Sequence, residues 1–128
     1  MPLNPDAPAI VLIENDEVTL DLYRRELSKS FTVCGFTEVI GVLDRMAAGD
    51  IQAVVIEPEI RSGGGWDLIH AIQTVLPGQC IPVIVCSTRD SNRASPAGEV
   101  SKYLIKPVPP KTLREETLKA IKQKEKRR

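Results

Sequence analysis

Four short apolar runs, dense in β-branched residues and almost uninterrupted by polar ones, constrain this chain most: Ala9–Ile13, Ala53–Ile56, Ile81–Cys86 and Tyr103–Ile105. An alternating strand can leave one face in water, whereas a continuous apolar run needs cover on both faces. A fifth run, Phe31–Phe36, alternates and contains Gly35, which suits a strand nearer a sheet edge. Helical stripes lie between these runs. Val18, Leu22, Tyr23 and Leu27 make an apolar face after the acidic start Glu14–Glu17. Val39, Ile40, Leu43 and Met46 make a second, with Thr37 as N-cap and Gly49 as the stop. Leu68, Ile69, Ile72, Val75 and Leu76 form a third, ended by Pro77-Gly78. Leu113, Leu118 and Ile121 mark the last, opened by Pro109-Pro110. Strand and helix alternate throughout, which predicts an α/β fold with a doubly wound parallel sheet. Such sheets carry their functional groups at the carboxyl ends of the strands.

With 128 residues, the chain matches one ordinary domain and needs no disulfide or metal staple. Lys plus Arg equals Asp plus Glu at 17 each, so no global field points to nucleic acid or a membrane surface. The basic run Lys122-Gln123-Lys124-Glu125-Lys126-Arg127-Arg128 reads as a solvated helix end, where cations suit the macrodipole. A linker or a basic contact patch is the alternative. Cys34, Cys80 and Cys86 lack the paired spacing of a zinc site, and Cys34 and Cys86 sit in apolar runs as small core residues. No stretch reaches the roughly 20 apolar residues of a membrane span, and no signal pattern opens the chain, so a cytoplasmic location is expected. The prolines before Ala9 predict a loose leader over residues 1–8, then a domain over 9–122 and a basic tail over 123–128.

At the strand ends stand Glu14-Asn15-Asp16-Glu17, Glu57-Pro58-Glu59, Ser87-Thr88 and Lys106-Pro107. Any one acidic cluster says little. The ordered set is far more specific: acids after two strands, a hydroxyl after a third, and a lysine-proline after the last. In this the chain resembles the receiver domains of two-component response regulators, over about Ala9 to Lys122. Ile10–Asn15 matches the family's first strand and acid pair, and Val54–Glu57 its third strand and phosphoacceptor, with Gly65 opening the next helix. Pro82–Ser87 matches the fourth strand and its hydroxyl, and Tyr103–Pro107 the aromatic and the lysine-proline. The resemblance implies a CheY-like, flavodoxin-like (βα)5 sandwich whose five parallel strands run in the order 2-1-3-4-5. It also implies a switch that is phosphorylated by a partner, with Mg²⁺ neutralising charge, Lys106 as fixed cation, and Ser87 and Tyr103 reporting the state. Such a module is not itself an enzyme.

Three departures fall on this pattern. Glu57 stands where the family has its phosphoacceptor aspartate, and its extra methylene moves the carboxylate by up to about 1.5 Å. A misplacement of about 1 Å can cost roughly a hundredfold in rate. Glu57 would reach Lys106 or Ser87 instead, imitating the phosphorylated state or forming an inert ion pair. Asn15 stands at the second acid of the pair, where an amide adds no charge and weakens any Mg²⁺ site. A one-residue shift would make Asn15-Asp16 the pair; the stripe Val18, Leu22, Leu27 favours Glu14-Asn15. Any residual metal site would draw on Glu14, Asn15, Asp16, Glu57 and Glu59. Finally, only 19 positions separate Ser87 from Lys106, and residues 89–99 carry no apolar stripe, so the fourth helix is expected to be short, irregular or missing.

These features predict a pseudo-receiver, acting through protein partners such as a histidine kinase or a downstream effector, as a monomer or weak dimer. No cofactor is expected. A functioning phosphoacceptor with a nonstandard site is the alternative reading, and a small flavodoxin-like enzyme or nucleotide binder a third. Ser62-Gly63-Gly64-Gly65 lacks the lysine and hydroxyl of a phosphate loop and reads as a flexible loop before Trp66, which should lie near the pocket mouth. His70 has no partner triad and reads as a packed or solvated helix residue.

Overall fold

In the computed structural model, which describes residues 6–75, 80–88 and 100–126, the apolar runs form a single sheet. Its strands are β1 (Ala9–Ile13), β2 (Thr32–Phe36), β3 (Ile51–Ile56), β4 (Val83–Ser87) and β5 (Lys102–Ile105). All pair in parallel, in the order β2-β1-β3-β4-β5. The helices are α1 (Glu17–Leu27), α2 (Val42–Met46), α3 (Gly65–Val75) and α4 (Pro110–Lys126), four among the described residues. This is the flavodoxin-like order expected from the sequence. The region between β4 and β5, where a short or irregular helix was expected, lies outside the described residues, as do Leu76 and the Pro77-Gly78 stop.

Successive side chains of a strand point to opposite faces, and both faces here are covered. Ile10, Leu12, Ala53, Val55 and Ile84 pack on one side with Leu20, Tyr23 and Leu27 of α1 and Leu113, Ala120 and Ile121 of α4. Val11, Ile13, Val54, Ile56, Val83 and Val85 pack on the other with Val42 and Met46 of α2 and Leu68, Ile69 and Ile72 of α3. Each buried Val, Leu, Ile or Met among them contributes about 1.5–3 kcal/mol by leaving water. That two-sided demand is why the central strands contain almost no polar residue.

Two helices differ from the sequence expectation. On α1, Tyr23 and Leu27 are buried as the stripe requires, but Val18 and Leu22 face solvent and Leu20 takes the inward place. Leu20 and Tyr23 lie seven and four residues before Leu27, on one face of the helix, whereas Val18 and Leu22 lie nine and five before it and point elsewhere; Tyr23 fixes the buried face by donating its hydroxyl hydrogen to the Val108 carbonyl at 3.1 Å. Thr37 does not cap α2. The chain turns through Gly41 at φ +87°, so the helix starts only at Val42. Val39 packs from the preceding turn beside Gly64, and Ile40 is exposed.

On α3 the stripe holds through Ile72, while Val75 is exposed. Thr117 joins the buried face of α4 despite its hydroxyl, which donates to the Leu113 carbonyl at 2.8 Å. The helix continues through Lys122 and Lys124 to Lys126, and Arg127 and Arg128 of the basic run lie outside the described residues. Among the described residues, no helix is long and apolar enough to cross a membrane.

Candidate functional site

Parallel pairing carries the candidate residues to one end of the sheet. Each sits one step beyond a strand and donates its backbone N–H to the last residue of the neighbouring strand. Glu14 donates to the Phe36 carbonyl at 2.9 Å, Glu57 to that of Ile13 at 2.9 Å, and Lys106 to that of Ser87 at 2.8 Å. The ladder therefore fixes the backbone of all three groups before any side chain is considered.

Their side chains meet. Lys106 Nζ lies 2.6 Å from Glu14 Oε1 and 3.4 Å from Glu57 Oε1. Glu14 is 4% exposed and Glu57 5%, so the contact is screened from water and unlike a surface pair. The other oxygen of each carboxylate is also taken. Glu14 Oε2 accepts the Asp16 N–H at 3.2 Å, and Glu57 Oε2 accepts the Glu59 N–H at 2.9 Å. Burial acts to lower the pKa of the Lys106 ammonium, but its hydrogen bond to Glu14 and the charges of Glu14 and Glu57 outweigh it and hold the value above normal.

The remaining candidates surround this triad. Ser87 is fully buried at the end of β4. Asn15 is half-buried, and its Oδ1 is buried with no hydrogen-bond donor. Asp16 is exposed and serves as the N-cap of α1: its carboxylate accepts both the backbone N–H and the hydroxyl of Thr19, which lowers its pKa. Glu14 rather than Asp16 therefore enters the triad. The stripe of Val18 and Leu22 that favoured this register does not exist as a buried face; the cap and the strand end produce the placement instead.

At the rim, the Trp66 indole N–H donates to Glu59 Oε2 at 3.4 Å, and the Trp66 ring stacks on Tyr103 with centroids 6.5 Å apart. Trp66, expected near the pocket mouth, reaches the pocket's loop through Glu59, the residue whose N–H holds Glu57. The stack on Tyr103 was not legible, since nothing local to either residue marks the pairing. Gly65 is required by close approach: a Cβ there would stand 2.0 Å from the Pro58 carbonyl oxygen. That contact sets the loop from Glu57 to Trp66. Behind the pocket, the Tyr23 hydroxyl also meets the Cys86 thiol at 3.7 Å, and burial pushes the pKa of both groups up. His70 is exposed on α3 and stands apart from the triad.

A divalent ion fits this donor set poorly. Mg²⁺ takes six oxygens in a nearly ideal octahedron. Here all four oxygens of Glu14 and Glu57 already bond to, or face, a protein donor, and the Asp16 carboxylate caps a helix. Asn15 Oδ1 is a neutral ligand at best. Among the described residues, no group of three or more His, Cys, Asp or Glu is arranged to hold a metal ion.

No protein-family model matches the sequence, and neither does any curated protein. Solved structures do match. A CheY-like response regulator receiver domain protein from Methanospirillum hungatei superposes with a TM-score of 0.86 at 17% identity, over 96% of this chain and 100% of that one. The signal receiver domain of an HD domain-containing protein from Pseudomonas fluorescens gives 0.82 at 20% identity, over 94% and 98%. A response regulator receiver domain protein from Clostridium thermocellum gives 0.81 at 19% identity, over 94% and 98%. Agreement this complete at identities this low is agreement of architecture: the chain has the CheY-like receiver fold.

Proposed function

We propose that this chain is a signal-transduction receiver module that works through protein partners and accepts no phosphoryl group at residue 57. The observation that carries the reading is the Glu57 carboxylate, one oxygen held by the Glu59 N–H and the other facing Lys106. In-line phosphoryl transfer needs a free carboxylate oxygen, correctly placed, with cations left over for the incoming group. Glu57 is one methylene too long for an aspartate's place, and its charge already faces Lys106. The receiver fold, shared with response regulators over nearly the whole chain, supports a partner such as a histidine kinase or a downstream effector. Nothing in the triad resembles an activated nucleophile beside a general base, which argues for a binding module over an enzyme.

The test is intact-mass spectrometry after incubation with a small phosphodonor and Mg²⁺. The mass should stay that of the unmodified chain. A stable, stoichiometric phosphoryl adduct would overturn the reading.

A further inference from the structure

We infer that the Lys106 ammonium is the pocket's resident cation, a tethered counter-ion that occupies the place a divalent ion would need and so excludes one. The carboxylate oxygens of the pocket are already allocated. A pocket built to receive Mg²⁺ leaves carboxylate oxygens to be completed by the ion. This pocket leaves none on Glu14 or Glu57, because Lys106 Nζ and the N–H groups of Asp16 and Glu59 meet all four. The ammonium is closest to Glu14, at 2.6 Å, and lies between two carboxylates that are both almost wholly buried. A dication arriving there would have to displace a lysine whose own positive charge repels it at close range and low dielectric.

Among the described residues, Asn15 Oδ1, next to Glu14 in the chain, is a buried acceptor with no donor. Removing the ammonium would leave two buried carboxylates and this oxygen without a cation. The same groups would then recruit one from solution. Lys106 is therefore the member of this arrangement whose removal frees an oxygen on each acid, Glu14 Oε1 and Glu57 Oε1.

The inference is independent of whether residue 57 can be modified: a chain phosphorylated without added Mg²⁺ would refute the function proposed above and leave this one standing. It is tested on the full chain by following Trp66 fluorescence and the melting temperature during Mg²⁺ titration. The wild type should show no saturable fluorescence change and no shift in melting temperature at millimolar Mg²⁺. Lys106→Met should gain a saturable response and melt several degrees higher with Mg²⁺ than without it. Lys106→Arg, which keeps the charge, should behave as the wild type. Adding Glu14→Gln to Lys106→Met should abolish the gain. If Lys106→Met is unfolded without metal, it should fold on addition of Mg²⁺. Saturable binding by the wild type, or a Lys106→Met chain that stays indifferent to Mg²⁺ whether folded or not, would overturn the inference.

Discussion

Two charge clusters join distant parts of this chain, and they are built to opposite plans. In the pocket, one cation serves two acids: Lys106 stands between Glu14 and Glu57, all three largely buried. Across the outer faces of α1 and α4, one acid serves two cations. Glu26 accepts from Arg114 Nε at 2.9 Å and pairs with Lys29 at 2.9 Å, while Arg114 also donates to Ser30 Oγ at 3.2 Å. The clasp is a packing device, partly open to water, on helices already held together by the Leu20, Tyr23 and Leu113 core. Loss of one member leaves charges that water can solvate. The pocket has no such recourse, because a carboxylate stripped of its cation there stays in low dielectric. The lesson is that the pocket's polarity is bought against the stability of the fold, which is the mark of a site.

The sharpest way to break this contrast is Lys106→Met. It should destabilise the chain by about 3–5 kcal/mol in urea or thermal unfolding without added metal, the usual cost of leaving a buried charge unpaired. A change no larger than that of a surface mutation would put the pocket and the clasp in one class. Next in size is an asymmetry within the triad. Glu14→Gln should cost about 1.5–3 kcal/mol, since it removes the short bond to the ammonium. Glu57→Gln should change stability by less than about 1 kcal/mol, because the amide oxygen still accepts from Glu59 and the Lys106–Glu14 pair is left balanced. Equal losses would mean that Lys106 is shared evenly. Arg114→Met should lose no more than about a third of what Lys106→Met loses.

The clusters should also fail at opposite ends of the pH scale. Hydrogen bonds from Lys29 and Arg114 hold the Glu26 carboxyl below its ordinary value, so the clasp's contribution is present above that value and is lost as pH falls through the lowered pKa. Lys106 is held above its ordinary 10.5, so the pocket's contribution is complete below that value and is lost as pH rises through the raised one. Denaturation curves should therefore show that Arg114→Met flattens the acid limb and leaves the alkaline limb unchanged. Glu14→Gln should flatten the alkaline limb.

The same division separates what was readable in the sequence from what was not. The strands were legible because two-sided burial writes itself as an unbroken apolar run, and the strand order came with the resemblance. The residue types at the strand ends were legible too, since a parallel sheet brings such positions together whatever else the chain does. Helix rotation was legible but misassigned: Val18 and Leu22 stand nine and five residues before Leu27, on other sides of α1, whereas Leu20 and Tyr23 stand seven and four before it on one side, the face that the Tyr23 bond to Val108 fixes. The start of α2 was hidden, because the left-handed turn at Gly41 cuts an otherwise regular stripe. In the pocket, Asp16 reads as an acid like its neighbours until the N-cap of α1 claims it. Which oxygen each donor meets is a matter of tenths of an ångström, and no spacing rule carries that.

The central claim is that Lys106 carries the pocket's charge balance, and a double-mutant cycle measures it most directly. Unfolding free energies of the wild type, Lys106→Met, Glu14→Gln and the double variant, without added metal, give the coupling between the two side chains. A parallel cycle on Arg114 and Glu26 supplies the reference. The Lys106–Glu14 coupling should be favourable and should clearly exceed that of Arg114–Glu26. A coupling equal to or below the clasp's would contradict the account, because the ammonium would then be only one more solvated charge at the edge of the sheet.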